Sequence, residues 1–167
     1  MTKNDTGRGG KKGICLVALM MVLALATAGW AAGKAADFTL PGVLDGKEYS
    51  LSQFKGQVVV INFFTFFCGP CRDEMPDLNK IYHENKSRGL TVIGIGLSSD
   101  PSQLRFLVKQ LNLDYPVLIG TDQVSKDYGN IEVVPTTFIL DRSGNIAHKV
   151  LGAKSKADFE KLLKPLL

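Results

Sequence analysis

Val58-Val59-Val60-Ile61-Asn62-Phe63-Phe64-Thr65-Phe66-Phe67-Cys68-Gly69-Pro70-Cys71-Arg72-Asp73-Glu74-Met75-Pro76 is the stretch around which the chain is organised. An apolar run ends in a tight turn and a Cys-x-x-Cys pair, and the residues after it begin a helix. A strand that is apolar on both faces belongs in the middle of a sheet covered on both sides. Cys68 and Cys71 then fall at a helix N-terminus, where unpaired N–H groups and the helix dipole stabilise a thiolate and lower its pKa. Pro70 suits the first helical turn, where its missing N–H has no helical partner, and Gly69 leaves steric room beside the sulfur. A Cys-x-x-Cys pair is also half of many zinc sites, but zinc needs two more ligands. The third cysteine, Cys15, sits in an apolar N-terminal run, and His83 and His148 are isolated. The pair therefore reads as redox-active, with no metal site.

Asn62 is the one polar residue inside the apolar run and reads as a hydrogen-bonded core amide. The helix after the pair runs from Pro70 to about Lys86, with Met75, Leu78, Ile81 and Tyr82 at helical spacing. Pro76 is expected to kink it, and Ser87-Arg88-Gly89 ends it. Upstream, Phe38–Leu40 and Lys47–Leu51 form a hairpin around Asp45-Gly46. Downstream come a buried strand at Leu90–Leu97, a helix over Pro101–Asn112 capped by Ser99-Asp100, and a strand at Pro116–Ile119. A short helix at Gln123–Tyr128 stops at Gly129. Thr136–Leu140 and Ile146–Leu151 flank a turn at Asp141–Asn145, and an amphipathic helix over Lys156–Leu166 points Phe159, Leu162 and Leu163 inward. Strands alternating with helices, closed by a hairpin and a helix, define an α/β domain with a central mixed sheet flanked by helices.

The 167 residues carry a formal net charge of +4. The excess is local. From Asp37 to Leu167 there are fifteen Lys+Arg and fifteen Asp+Glu, so the surplus lies in Lys3, Arg8, Lys11, Lys12 and Lys34 against Asp5. The high pI is thus no argument for a nucleic-acid partner; it describes a targeting segment. Residues 1–36 read as a signal peptide or N-terminal membrane anchor, and residues 37–167 as the folded domain. Ile14–Ala28 is uncharged, and Ala26-Thr27-Ala28 fits an A-x-A cleavage site, with Ala35-Ala36 a later option. Ile14–Ala32 is nineteen residues without a charge, close to the roughly 20 that span a bilayer, so anchoring through residues 14–32 stays open. In either case the basic end remains inside and the domain is exported.

Cys68-Gly69-Pro70-Cys71 after a buried strand, with Val134-Pro135-Thr136-Thr137-Phe138 later, resembles the thioredoxin fold. The run from Cys68 to Pro76, the extra helix and strand over Pro101–Ile119, and the export segment resemble the TlpA/ResA branch of exported thiol–disulfide oxidoreductases. The resemblance implies a thioredoxin fold with an N-terminal hairpin and a helix-strand insertion. It implies that Cys68 is the attacking thiolate and Cys71 the resolving thiol, the two cycling through a redox disulfide. Pro135 is implied to be a cis-proline facing the disulfide, and Val134 to pair through its backbone with substrate, so that Gly69, Pro70, Val134 and Pro135 bind it. Glu74, on the helical face of Cys71, is implied to take or return its proton. Two positions depart from the pattern. Asn62 stands where many thioredoxins have an Asp, so any proton role falls to Glu74, and Phe64 and Phe67 replace an aromatic pair that usually includes tryptophan.

The resemblance implies an enzyme with no cofactor beyond its cysteines, probed against protein substrates with cysteine pairs and re-reduced by a membrane electron donor. Family members mostly act as reductants in cytochrome c maturation or copper-site assembly. Two other readings compete. Thr65-Phe66-Phe67-Cys68 matches the T-x-x-C half of a peroxiredoxin motif, although Ile61 stands where its proline belongs, and Cys68 with Cys71 could serve a copper carrier as soft ligands.

Overall fold

The computed structural model describes Met1 and residues 33–167. The expected cleavage site at Ala26-Thr27-Ala28 and the expected span over residues 14–32 lie outside the described residues. Among the described residues no helix is long and apolar enough to cross a membrane.

A hairpin of β1 (Thr39–Pro41) and β2 (Glu48–Ser50) precedes a five-stranded sheet. The sheet contains β3 (Val58–Phe64), β4 (Leu90–Gly96), β5 (Val117–Ile119), β6 (Thr136–Leu140) and β7 (Ile146–Leu151), in the order β5-β4-β3-β6-β7. β4 and β5 run parallel to β3, whereas β6 and β7 form an antiparallel hairpin beside it. The helices are α1 (Gly69–Asn85), α2 (Pro101–Gln110), α3 (Asp122–Asp127) and α4 (Lys156–Leu163). This is the mixed α/β sheet with hairpin and helix-strand insertion that the sequence implies.

β3 is buried along its whole length, and strand alternation divides its side chains between two cores. Val58, Val60 and Phe64 face α1, α2 and α4, packing with Cys71, Met75, Leu78, Leu104, Leu107 and Phe159. Val59, Ile61 and Phe63 face the other way, onto Ile93, Leu118, Phe138, Val124 of α3 and Tyr128 at its C-terminal end. Each fully buried side chain of this size contributes about 1.5–3 kcal/mol, so the central strand is fixed from both sides. Asn62 follows the alternation onto the α1 side. That placement brings the polar residue under the Cys-x-x-Cys helix.

Helix ends follow their caps. Gly89, at φ 81°, stops the turn after α1. α2 has a full capping box in which the Asp100 carboxylate accepts from the Ser102 N–H and Gln103 reaches back to the Asp100 N–H. Ser99 is not part of that cap, contrary to expectation. Its hydroxyl donates to the Leu97 carbonyl and accepts from the Phe66 N–H at 2.9 Å, tying the loop after β4 to the loop before Cys68. α2 also ends before Asn112, whose φ of 48° leaves the helical region. Asp100→Ala is expected to cost about 1 kcal/mol of stability, read as a lower urea midpoint with an unchanged slope.

Residues 33–36 lie along the β6–β7 turn. The Ala35 N–H donates to Gly144 O, the Ile146 N–H donates to Gly33 O, and the Tyr128 hydroxyl donates to Ala36 O.

Candidate active site

The turn out of β3 delivers Cys68 to the N-cap of α1. Cys68 and Cys71 are joined in a disulfide, their Cα atoms 5.3 Å apart. The Cys71 N–H points at Cys68 Sγ, 3.2 Å away, so an unpaired amide of the first helical turn is aimed at the sulfur that would carry a negative charge. The two sulfurs differ in access: Cys71 is fully buried, whereas Cys68 is half-buried. Gly69 and Pro70 are exposed beside them.

Across the site the Val134–Pro135 peptide bond is cis. Cys68 Sγ lies 3.8 Å from the Val134 carbonyl oxygen, and the Pro135 carbonyl accepts from the Gly152 N–H at 2.8 Å, holding the loop to the end of β7. The rim is apolar. Phe67 is 76% exposed and meets Phe66 edge-on at 5.1 Å, and Val133 is also exposed. Arg72 lies 6.0 Å over the Phe66 ring and reaches Gln110 of α2. Of the aromatic pair read from sequence, Phe64 belongs to the core and only Phe67 reaches the surface.

Behind the disulfide is a buried polar cluster. Cys71, Glu74, Met75, Leu78 and Ile81 form the inward face of α1. Glu74 is only 3% exposed. Asn62 Nδ2 donates to Glu74 Oε1 and to Thr137 Oγ1, each at 2.9 Å, and the Lys154 N–H donates to Glu74 Oε2 at 2.7 Å. Removal from water disfavours the ionised carboxylate more than these two bonds favour it. Burial therefore pushes Glu74 up to about 7, against the Lys154 and Asn62 hydrogen bonds. A carboxyl poised there can exchange a proton near neutrality. The reading of Asn62 as a bonded core amide holds for its nitrogen; its Oδ1 has no partner.

Sequence reasoning missed Thr137, Lys154 and Ser99. Thr137 becomes legible once β3 and β6 are set antiparallel, because it then sits opposite Asn62. Lys154 acts through its backbone and carries no residue-type signal.

A disulfide at a helix start, beside a cis-proline loop on a thioredoxin-type sheet, defines a thiol–disulfide oxidoreductase. The chain belongs to the Redoxin family, whose pattern it matches over residues 31–164, and within it is similar to the ResA group. It is 33% identical over 135 residues to thiol-disulfide oxidoreductase ResA of Bacillus thuringiensis subsp. konkukian (strain 97-27), covering 80% of this chain and 78% of the relative. To thioredoxin-like protein YneN of Bacillus subtilis (strain 168) it is 35% identical over 133 residues, 78% of this chain and 76% of that one. Among solved structures, a thiol:disulfide interchange protein of the thioredoxin family from Chlorobium tepidum TLS superposes with a TM-score of 0.76 at 33% identity, covering 81% of this chain and 96% of that one. A putative DsbE from Chlorobium tepidum gives 0.75 at 28%, with the same coverages.

Proposed function

We propose that the protein works outside the cytoplasmic membrane as a reductant of protein disulfides, with Cys68 as nucleophile and Cys71 as resolving thiol. The observation that carries the direction is Glu74. A strong oxidant owes its potential to a stabilised reduced form with a low-pKa thiolate. Here a buried carboxyl shares the helical face of the inner thiol; when ionised it opposes a second negative charge on Cys71. Glu74 thus works against charge on the reduced pair, the opposite of what makes an oxidant, while the helix start stabilises the Cys68 thiolate alone.

In each turnover the Cys68 thiolate attacks one sulfur of a substrate disulfide, forming a mixed disulfide and expelling the other sulfur as a thiolate. Cys71 then gives its proton to Glu74 and attacks Cys68 Sγ, which releases the second substrate thiolate. Two electrons pass to the substrate, and the pair ends as the Cys68–Cys71 disulfide. Val134 and Pro135 form one wall of the substrate groove and Gly69 with Pro70 the other, while Phe67 and Val133 offer the exposed apolar contact. A membrane electron donor restores the dithiol. The substrates are proteins with cysteine pairs, such as the haem-site cysteines of apocytochrome c or the copper-site cysteines of an oxidase. Residues 1–36 direct export and residues 14–32 offer an anchor. Removal of a leader favours the Ala26-Thr27-Ala28 site, since a cut after Ala36 would strip residues 33–36 from the β6–β7 turn.

The test uses the reduced protein with an oxidised peptide bearing a Cys-x-x-Cys-His pair. Stoichiometric reduction of the peptide with formation of the Cys68–Cys71 disulfide is expected. No exchange, with rapid consumption of hydrogen peroxide instead, would replace this reading by the thiol peroxidase. Neither that reading nor the copper carrier gains an observation from the structure.

A further inference from the structure

Among the described residues two buried side-chain polar atoms lack a partner: Asn62 Oδ1 and the Tyr115 hydroxyl. Buried polar groups are nearly always hydrogen-bonded, and a pair of exceptions calls for a physical account. These two flank one glycine. Gly94 of β4 sits opposite Asn62 of β3 on one side and Val117 of β5 on the other. A Cβ at Gly94 would lie 3.3 Å from Tyr115 Cε2 and 3.3 Å from Phe64 Cε1. The ring of Tyr115 thus lies over Gly94, on the α1 side of the sheet, in the core layer that holds Phe64 and Cys71. Asn62 projects into that same layer to reach Glu74. Tyr115 itself is 3% exposed, and its hydroxyl is held protonated by burial and by the charge of Glu74.

We propose that the Tyr115 hydroxyl and Asn62 Oδ1 share one buried water, and that Tyr115 is through it a positioning residue for Glu74. The hydroxyl is a donor and Oδ1 an acceptor, and buried waters are found where such groups would otherwise be unpaired. The consequence concerns the amide. An amide can present either end to a neighbour. With Oδ1 held by the Tyr115 side, Nδ2 is committed to Glu74 Oε1 and Thr137 Oγ1, the arrangement that favours an ionised carboxylate. Without that hold the amide can turn and offer Oδ1 to a protonated Glu74, which favours the acid. The other groups acting on Glu74 stay in place: the Lys154 N–H and charge, the Asp77 carboxylate, and the two cysteines.

Tyr115→Phe removes the hydroxyl and leaves the ring over Gly94. In the dithiol form of the full chain, with glutamate carboxyls followed by carbon-detected NMR, the Glu74 titration is expected to move up by about half to one pH unit, the equivalent of one net hydrogen bond. The control is Tyr82→Phe, at a ring 6.4 Å from Tyr115 in the same core, which should not move it. An unchanged Glu74 titration in Tyr115→Phe, with equal or greater stability, would overturn the proposal and leave the hydroxyl a mere unpaired group. Should that variant fail to fold, Gly94→Ala, which pushes the ring without removing the hydroxyl, carries the same readout with the same two outcomes. The inference rests on Glu74 serving Cys71 only for its consequence in turnover. If Glu74→Gln leaves the exchange rate unaltered while Tyr115→Phe still moves the Glu74 titration, the positioning stands and the proton role does not.

Discussion

Cys68→Ser is expected to lower the rate of insulin reduction by at least about a thousandfold, because the thiol that remains, Cys71, is buried out of a substrate's reach. Cys71→Ser should fail differently. Cys68 is half-buried and receives the Cys71 N–H, so the first attack survives loss of the second sulfur. The reaction then halts at the mixed disulfide, because the resolving thiol is gone. Non-reducing electrophoresis with a protein substrate separates the two variants: Cys71→Ser accumulates a covalent adduct and Cys68→Ser does not. Adducts on Cys71 in the Cys68→Ser variant, with none in the converse, would reverse the assignment of roles. The burial of Cys71 argues against that outcome, since a substrate sulfur cannot reach a side chain with no exposed surface.

The second large effect is on pH dependence. Glu74 ordinarily titrates near 4.5 and is pushed up to about 7 by burial. The folded protein therefore binds a proton that the unfolded chain releases between these values. Stability supplied by protonated Glu74 is fully present below about 4.5 and is lost as pH rises through 7, a change of roughly 3 kcal/mol. In Glu74→Gln this component disappears, so the fall in urea midpoint between pH 5 and pH 8 should flatten. Asp77, Asp114 and Asp141 are held below their usual range by hydrogen bonds and Asp77 also by Lys80. Their contributions have the opposite sign and are lost at lower pH, outside this window. The same variant should lose the step near neutrality in the pH profile of exchange. Equal slopes in the two proteins, measured with the Cys68–Cys71 disulfide intact in both, would show that Glu74 titrates elsewhere.

What the sequence disclosed depended on whether the cause was local. β6 and β7 were legible to the residue because Asp141 brackets the turn between them, its carboxylate accepting from the Ser143 and Asn145 amides. The spacing of Cys68 and Cys71 permitted a disulfide, and the resemblance to thioredoxin-fold oxidoreductases implied it. Glu74 was legible as a residue on the face of Cys71, but not as a buried one. Its second oxygen is satisfied by a backbone amide 80 positions away, and only the packing of the α4 entry loop against α1 supplies it. Ser99 misled because a Ser-Asp doublet offers two caps of similar quality, and the choice was made by Phe66, 33 residues distant. Tyr115, just before the strand expected at Pro116, carries no signal of its own in the sequence; its position over Gly94 depends on the strand order, with β5 at the edge next to β4. The elements came from periodicity and turn chemistry, whereas the polar interior of the site came from long-range register.

The reduction potential of the Cys68/Cys71 pair, measured at pH 7 by equilibration with glutathione buffers, tests the central claim most directly. The account predicts a reducing couple, more negative than about −200 mV and on the side of thioredoxin. A value near that of the strong oxidants, about −120 mV, would contradict it and make the protein a donor of disulfides.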